Sequence, residues 1–244
     1  DPVVIAKAGQ YAENVYFGKP SGLMDQMACS VGNLIYIDFE DNSQPVVKKV
    51  QADFSKFGYS LCIIDSKGSH AGLTDDYAAI PYEMKSVCEL LGKTLVREVT
   101  AQEVLENIDE IREKCGDRAL LRTLHVIYEN ERVEKAVDAL ESNNFKAFLD
   151  VVRESGNSSF KYLQNVYSNH DIKDQALSIG LMYSEKILQD NGVCRVHGGG
   201  FAGTIQAFVK DDFVKIYKKE IEKVFGVGCC HVLKVRKYGG RQLV

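Results

Sequence analysis

The stretch from Val193 onward constrains the fold more than any other. It reads as strand (Val193–Val196), glycine loop (Gly198-Gly199-Gly200), strand (Thr204–Val209), a helix capped by Asp211 or Asp212, and a final strand (Cys229–Val235). Two strands joined by a short loop, then a helix and a returning strand, build an antiparallel sheet with a helix laid across it. Upstream, residues 100–190 read as helix throughout. A helical block feeding such a sheet predicts an α+β fold, with helices covering one face of the sheet. The 244 residues, 45% of them hydrophobic, supply enough apolar surface for one large or two small domains.

The first hundred residues add smaller elements. Residues 2–13 read as a helix, followed by a Gly18-Lys19-Pro20 loop and a second helix from Gly22 to Val31. Ser21 is placed as its N-cap, Pro20 stops the upstream helix, and Leu23, Met27 and Val31 form its apolar face. Leu34–Phe39 and Val46–Val50 are strand-like around an Asp41-Asn42-Ser43 turn. Leu61–Asp65 is a buried strand, Ser66–His70 a loop, and a helix runs from Thr74 to about Leu91, where Gly92 stops it. A seam between two subdomains falls near residues 52–60. Further on, Ile172, Ala176, Ile179, Tyr183 and Ile187 are spaced as one helical face, with Asp171 and Asp174 as a variant capping box at its head.

Composition excludes several classes. The formal charge is −4, no run of Lys or Arg exceeds two residues, and Lys218-Lys219 sits among Glu220, Glu222 and Lys223, so nucleic acid is not an expected partner. Seven cysteines without a CxxC pair read as reduced residues of a cytoplasmic protein, and the vicinal Cys229-Cys230 pair reads as part of a strand. No apolar run reaches the ~20 residues of a membrane span, and no signal peptide opens the chain. His197-Gly198-Gly199-Gly200 is not an esterase oxyanion loop, because no G-x-S-x-G elbow exists. Gly92-Lys93-Thr94 is not a phosphate-binding P-loop: Val87 occupies the required glycine position, and a helix precedes it. His125 reads as a structural residue inside a helix. His197 is the one histidine placed to matter.

Two carboxylates and the glycines remain as candidates. Asp25 falls in the first helical turn after the Pro/Gly loop, where the helix dipole favours the charged carboxylate. It is either a helix-stabilising residue or a base awaiting a substrate hydroxyl. Glu13, twelve residues earlier, is either a solvated helix-end glutamate or a ligand for Mg²⁺, which favours one or two carboxylates plus phosphate oxygens. Gly198, Gly199 and Gly200 let the backbone approach a ligand, or serve a bulged hairpin needing φ > 0.

Taken in chain order, these pieces resemble the galactokinases of the GHMP small-molecule kinase superfamily. Ala12-Glu13-Asn14 and Phe17-Gly18-Lys19-Pro20-Ser21-Gly22-Leu23-Met24-Asp25-Gln26 resemble the family segment A-E-x-x-x-x-G-x-P-x-G-x-M-D-Q. Gly68-Ser69-His70 with Asp76-Tyr77 resembles its sugar-contacting loop and helix start. Val196–Thr204 resembles the third superfamily motif, M-T-G-G-G-F-G-G. The chain departs from it at Val196-His197 and at Ala202, which places a Cβ in a loop expected to use φ > 0.

The resemblance implies a sugar-1-kinase that transfers the γ-phosphate of ATP to the anomeric hydroxyl of a hexose. It makes Asp25 the catalytic base, Gly22 and Tyr77 further sugar contacts, and Glu13 a ligand of Mg²⁺. It makes Gly198, Gly199, Gly200, Phe201 and Gly203 a support beside the ATP phosphate loop. It also implies that residues 1–57 end a GHMP N-terminal domain and 58–244 form a ferredoxin-like C-terminal domain with added helices. A P-x-x-x-G-L-S-S-S phosphate loop does not occur in these 244 residues, so this chain by itself is expected to be a fragment without ATP turnover. A galactokinase-like sugar and ATP sensor, or a GHMP kinase for another small alcohol, are the alternatives. The sugar and the oligomeric state are left open.

Overall fold

The computed structural model describes residues 1–18, 21–69 and 72–240. The Lys19-Pro20 part of the first loop and His70 of the second lie outside the described residues. Contacts divide the chain into two units, 1–53 with 140–143 and the segment beginning at Lys234, and 54–139 with 144–233.

In the first unit, helix α1 (Pro2–Tyr11) begins at Asp1, whose carboxylate accepts from the Val3 amide at 2.8 Å. The predicted helix over 2–13 does not continue as α-helix. Residues Ala12–Tyr16 widen into a single π turn that carries Glu13 and Asn14, a geometry often found at functional sites. Helix α2 (Met24–Val31) ends at Gly32, with φ of +68°. Strands β1 (Leu34–Asp38) and β2 (Val46–Val50) pair antiparallel, with Leu34 opposite Val50. Ala6, Leu23, Met27 and Val31 form the buried centre, as the apolar spacing of α2 requires. The segment from Lys234 returns here: Arg236 accepts from the Asn33 amide at 2.7 Å.

In the second unit, β3 (Tyr59–Asp65) and α3 (Thr74–Leu90) precede α4 (Ala101–Glu106), α5 (Ile108–Lys114), α6 (Asp117–Glu141) and α7 (Phe145–Ser158). Then come α8 (Ala176–Leu188), β4 (Gly192–His197), β5 (Thr204–Lys210), α9 (Val214–Phe225) and β6 (Cys230–Leu233). The strands form one antiparallel sheet in the order β4-β5-β3-β6. This is the β-α-β-β-α-β arrangement of a ferredoxin-like domain, with the extra helices inserted between β3 and β4. All seven cysteines are free thiols, and no described helix is long and apolar enough to cross a membrane.

One face of the sheet packs on α8 and α9: Cys62, Ile64, Val196, Ile205 and Ala207 meet Leu177, Leu181, Tyr217 and Ile221. The other face is covered too, which corrects the expectation of a single covered face. Phe208, one residue out of phase with Ala207, stacks edge-on against Phe148 of α7 at 5.1 Å. Arg195 likewise points to α7 and α6, reaching Ser155 and Glu129.

Three sequence-level helix signals are also corrected. The buried face of α8 is Leu177, Gly180, Leu181, Ser184 and Leu188, while Ile172 precedes the helix and Ile179 is half exposed. Asp171 accepts from the Lys173 and Asp174 amides, closing a turn ahead of α8 and not capping it. Asp211 accepts from the Ser60 hydroxyl at 2.7 Å, and α9 starts at Val214 with no side-chain cap.

Arg195 belongs to a buried polar network. Glu129 accepts from Arg132, Arg195 and Ser155, and His125 shares a 2.9 Å hydrogen bond with Ser158. Burial would raise the Glu129 carboxyl, but the Ser155 hydroxyl and the Arg132 guanidinium, with Arg195 behind them, hold it below the usual range. Burial pushes the His125 imidazole down to about 4; Glu129 opposes that shift, and Arg132 and Arg195 reinforce it.

The folded state therefore refuses a proton that the unfolded chain takes up near pH 6.5, so stability is full above that pH and falls as pH drops toward about 4. Urea unfolding at pH 7 and at about pH 4.5 should differ by on the order of 2 kcal/mol from this group, and His125→Gln should flatten the difference. The Glu129 contribution is lost only at lower pH.

Candidate functional site

The predicted site residues fall into two groups, one in each unit. In the first unit, Ser21 is held by the π turn. The Asn14 side-chain oxygen accepts from the Ser21 amide at 2.8 Å and from its hydroxyl at 3.1 Å, while Gln10 donates to its carbonyl. Ser21 is therefore not the N-cap of α2. Helix α2 starts at Met24, and Leu23 precedes it with no side-chain cap bond. Gln26, on the same helical turn as Asp25, donates through Nε2 to Glu13 at 3.3 Å and to the Ser21 hydroxyl at 3.4 Å. Its Oε1 is buried and has no partner among the described residues.

Asp25 itself is exposed on the first turn of α2. The helix beneath it is fixed by Met27, wholly buried, and by Val31, so the carboxylate is presented from a rigid element. Gly22 is exposed, and a Cβ built there would meet nothing within 4 Å. Among the described residues no internal contact accounts for a glycine at this position.

In the second unit the glycine loop is tied down from three sides. The Tyr77 hydroxyl donates to the Gly200 carbonyl at 2.8 Å, and its ring lies edge-on to Phe201 at 5.1 Å. Ser66 donates through its amide and its hydroxyl to the Gly203 carbonyl, at 3.0 and 2.6 Å. Asn165 receives the Phe201 amide on its own carbonyl at 2.6 Å, and its side-chain amide donates to the Gly199 carbonyl at 3.2 Å. The Tyr77 phenol is pushed up by burial and by neighbouring Asp76, so it remains a donor. Tyr77→Phe should leave the Gly200 carbonyl without that donor and cost about 1 kcal/mol in thermal or urea unfolding, since the ring contact survives.

The loop uses left-handed backbone at Gly198, Gly200, Phe201 and Gly203. Ala202 is not among these positions; it is buried against Leu73 and Phe201, so its Cβ is accommodated where the sequence motif suggested strain. His197 stands outside the loop, sharing a 2.9 Å hydrogen bond with Gln206 across β4 and β5. The Phe201 and Ala202 amides are spent on the Asn165 and Gly200 carbonyls, so these two N–H groups are not turned toward an anion. Sequence reasoning missed Asn165, which carries no motif and comes close to the loop only through the fold.

No family model matches the chain. The fold is that of the GHMP small-molecule kinases. A mevalonate kinase of L. major in complex with R-mevalonate superposes on 98% of this chain and 60% of its own, with a TM-score of 0.56 at 13% identity. The galactokinase of Lactococcus lactis, solved with galactose, covers 100% of this chain and 61% of its own, with a TM-score of 0.77 at 22% identity.

In sequence the chain is similar to galactokinases. It is 29% identical to the Streptomyces coelicolor galactokinase, over 98% of this chain and 60% of that protein. It is 28% identical to the Glaesserella parasuis galactokinase, over 89% of this chain and 54% of that protein. The chain therefore spans 54–60% of the length of these two relatives.

Proposed function

We propose that the protein is an ATP-dependent sugar-1-kinase of galactokinase type. The observation that supports this most is the presentation of Asp25 on the first turn of α2, beside a π turn that carries Glu13, in a chain homologous to galactokinases over nearly its whole length. In this reading the Asp25 carboxylate accepts the proton of the anomeric hydroxyl as that oxygen attacks the γ-phosphorus of ATP, and ADP leaves. Gly22 lets the sugar approach the backbone, and Tyr77 offers its hydroxyl lone pairs to the sugar while its O–H donates to the Gly200 carbonyl. The glycine loop, Gly198 to Gly203, supports the nucleotide side. Residues 1–57 act as the end of the N-terminal kinase domain, and 58–244 as the C-terminal domain.

Among the described residues no group of three or more His, Cys, Asp or Glu gathers that could hold a metal. That fits Mg²⁺ bound chiefly by nucleotide phosphates, with Glu13 as its one protein carboxylate. Bound there, the ion would neutralise phosphate charge.

Sugar-dependent ADP release by the purified protein at its full natural length tests the reading. Release with galactose or another aldohexose is the expected result. Sugar binding without ADP release would leave a sensor, and release with mevalonate alone would move the protein to another branch of these kinases.

A further inference from the structure

The stretch Gln164–Ser168 has no part in the reaction just described, yet it bonds the residues next to both ends of the Tyr77–Gly200 hydrogen bond. Gln164 turns left-handed, at φ of +55°, directly after the π turn Ser159–Leu163. This brings Asn165 against the glycine loop, where its carbonyl and its side-chain amide hold Phe201 and Gly199. Three residues on, the Ser168 hydroxyl donates to Asp76 at 2.6 Å, and Asp76 is the residue before Tyr77. Asn165, Ser168 and Asp76 are 2%, 5% and 5% exposed. The His170 Nε2 lies 4.0 Å from Asp76, and the Arg118 and Arg122 guanidiniums also act on that carboxylate.

Asn165 is a poor choice for packing alone. Among the described residues its Oδ1 is buried without a partner, and a buried polar atom left unpaired is costly to keep. An apolar side chain would fill the space at lower cost. What an apolar residue cannot do is donate to the Gly199 carbonyl.

We infer that Asn165 is a positioning residue: it fixes the glycine loop, and through it the Tyr77 hydroxyl, with Ser168 anchoring the stretch to α3. For its catalytic consequence the inference rests on the kinase reading.

Hydrogen exchange in the purified protein tests the clamp without any activity. In Asn165→Ala, exchange at the Phe201 and Ala202 amides should rise about tenfold, the worth of one buried hydrogen bond, while the β4 and β5 ladder amides keep their protection. Unchanged exchange at those two amides overturns the inference. So does an equal rise along the ladder, which would mark a merely structural residue.

Should Asn165→Ala fail to fold, Ser168→Ala carries the same test: a local rise at Phe201 and Ala202 supports the clamp, and none overturns it. Combined with Tyr77→Phe, Asn165→Ala should be less than additive, because both act on one loop. In the phosphorylation assay Asn165→Ala should lower kcat/KM for the sugar about tenfold. A wild-type protein that phosphorylates no sugar would remove the kinase reading, and the exchange result would still decide the clamp.

Discussion

Replacing Asp25 with Asn should leave sugar binding in place and lower kcat for sugar phosphorylation by about a thousandfold, within the range that a lost general base commands. The two side chains have the same shape, and asparagine can still hydrogen-bond a sugar hydroxyl. It cannot take up the proton. The carboxylate sits on the first turn of α2, whose inner residues Leu23, Met27 and Val31 are buried together with Ala6, so the substitution leaves the helix where it is. The side chain is exposed, and stability should be almost unchanged. Steady-state kinetics with an equilibrium sugar-binding measurement separates the possibilities. A kcat loss under about tenfold would reduce Asp25 to orientation or charge balance, and an equal loss of sugar affinity would make it a ground-state contact.

The sequence carried those parts of the structure that depend on local pattern. The strand-like runs on either side of the Asp41-Asn42-Ser43 turn appear as strands, the first ending at Asp38, one residue before Phe39. The α8 face did not follow, for a physical reason. Periodicity selects large apolar residues, whereas α8 approaches the sheet through small ones. A Cβ on Gly180 would lie 2.5 Å from Ile205, and Ser184 meets the Tyr217 hydroxyl at 2.9 Å.

Caps failed in the same way. Ser21, Asp171 and Asp211 are the right residue types, but Ser21 and Asp211 found partners that only the fold supplies, and Asp171 closed a local turn on Lys173 and Asp174. The Asp25 and glycine-loop positions were legible as motifs. Asn165 was not, since its side-chain amide and its carbonyl reach Gly199 and Phe201 only through a left-handed turn that the fold sets.

That carbonyl also sets the largest expected stability effect. Gly200 adopts φ of +84°, and a Cβ built on it would lie 1.9 Å from the Asn165 carbonyl oxygen and 2.8 Å from its Nδ2. The backbone conformation alone costs an alanine about 1 kcal/mol. The overlap adds to this, because the obstructing oxygen belongs to a buried main chain that already accepts from Phe201 at 2.6 Å. Gly200→Ala should therefore cost about 3 kcal/mol or more in urea unfolding, in the exceptional range for one substitution.

Gly198 provides the control. It too is left-handed, at φ of +69°, but a Cβ there meets nothing within 4 Å. Gly198→Ala should cost only the conformational share, about 1 kcal/mol. Equal losses at the two positions would mean that backbone strain alone explains the glycines and that the Asn165 contact is soft. A large gap would mean that the loop's place is set by the carbonyl behind it. In that case Gly200→Ala, by pushing the loop off Asn165, should also break the Tyr77 hydrogen bond, and the exchange rate at the Phe201 amide should rise with the loss of stability.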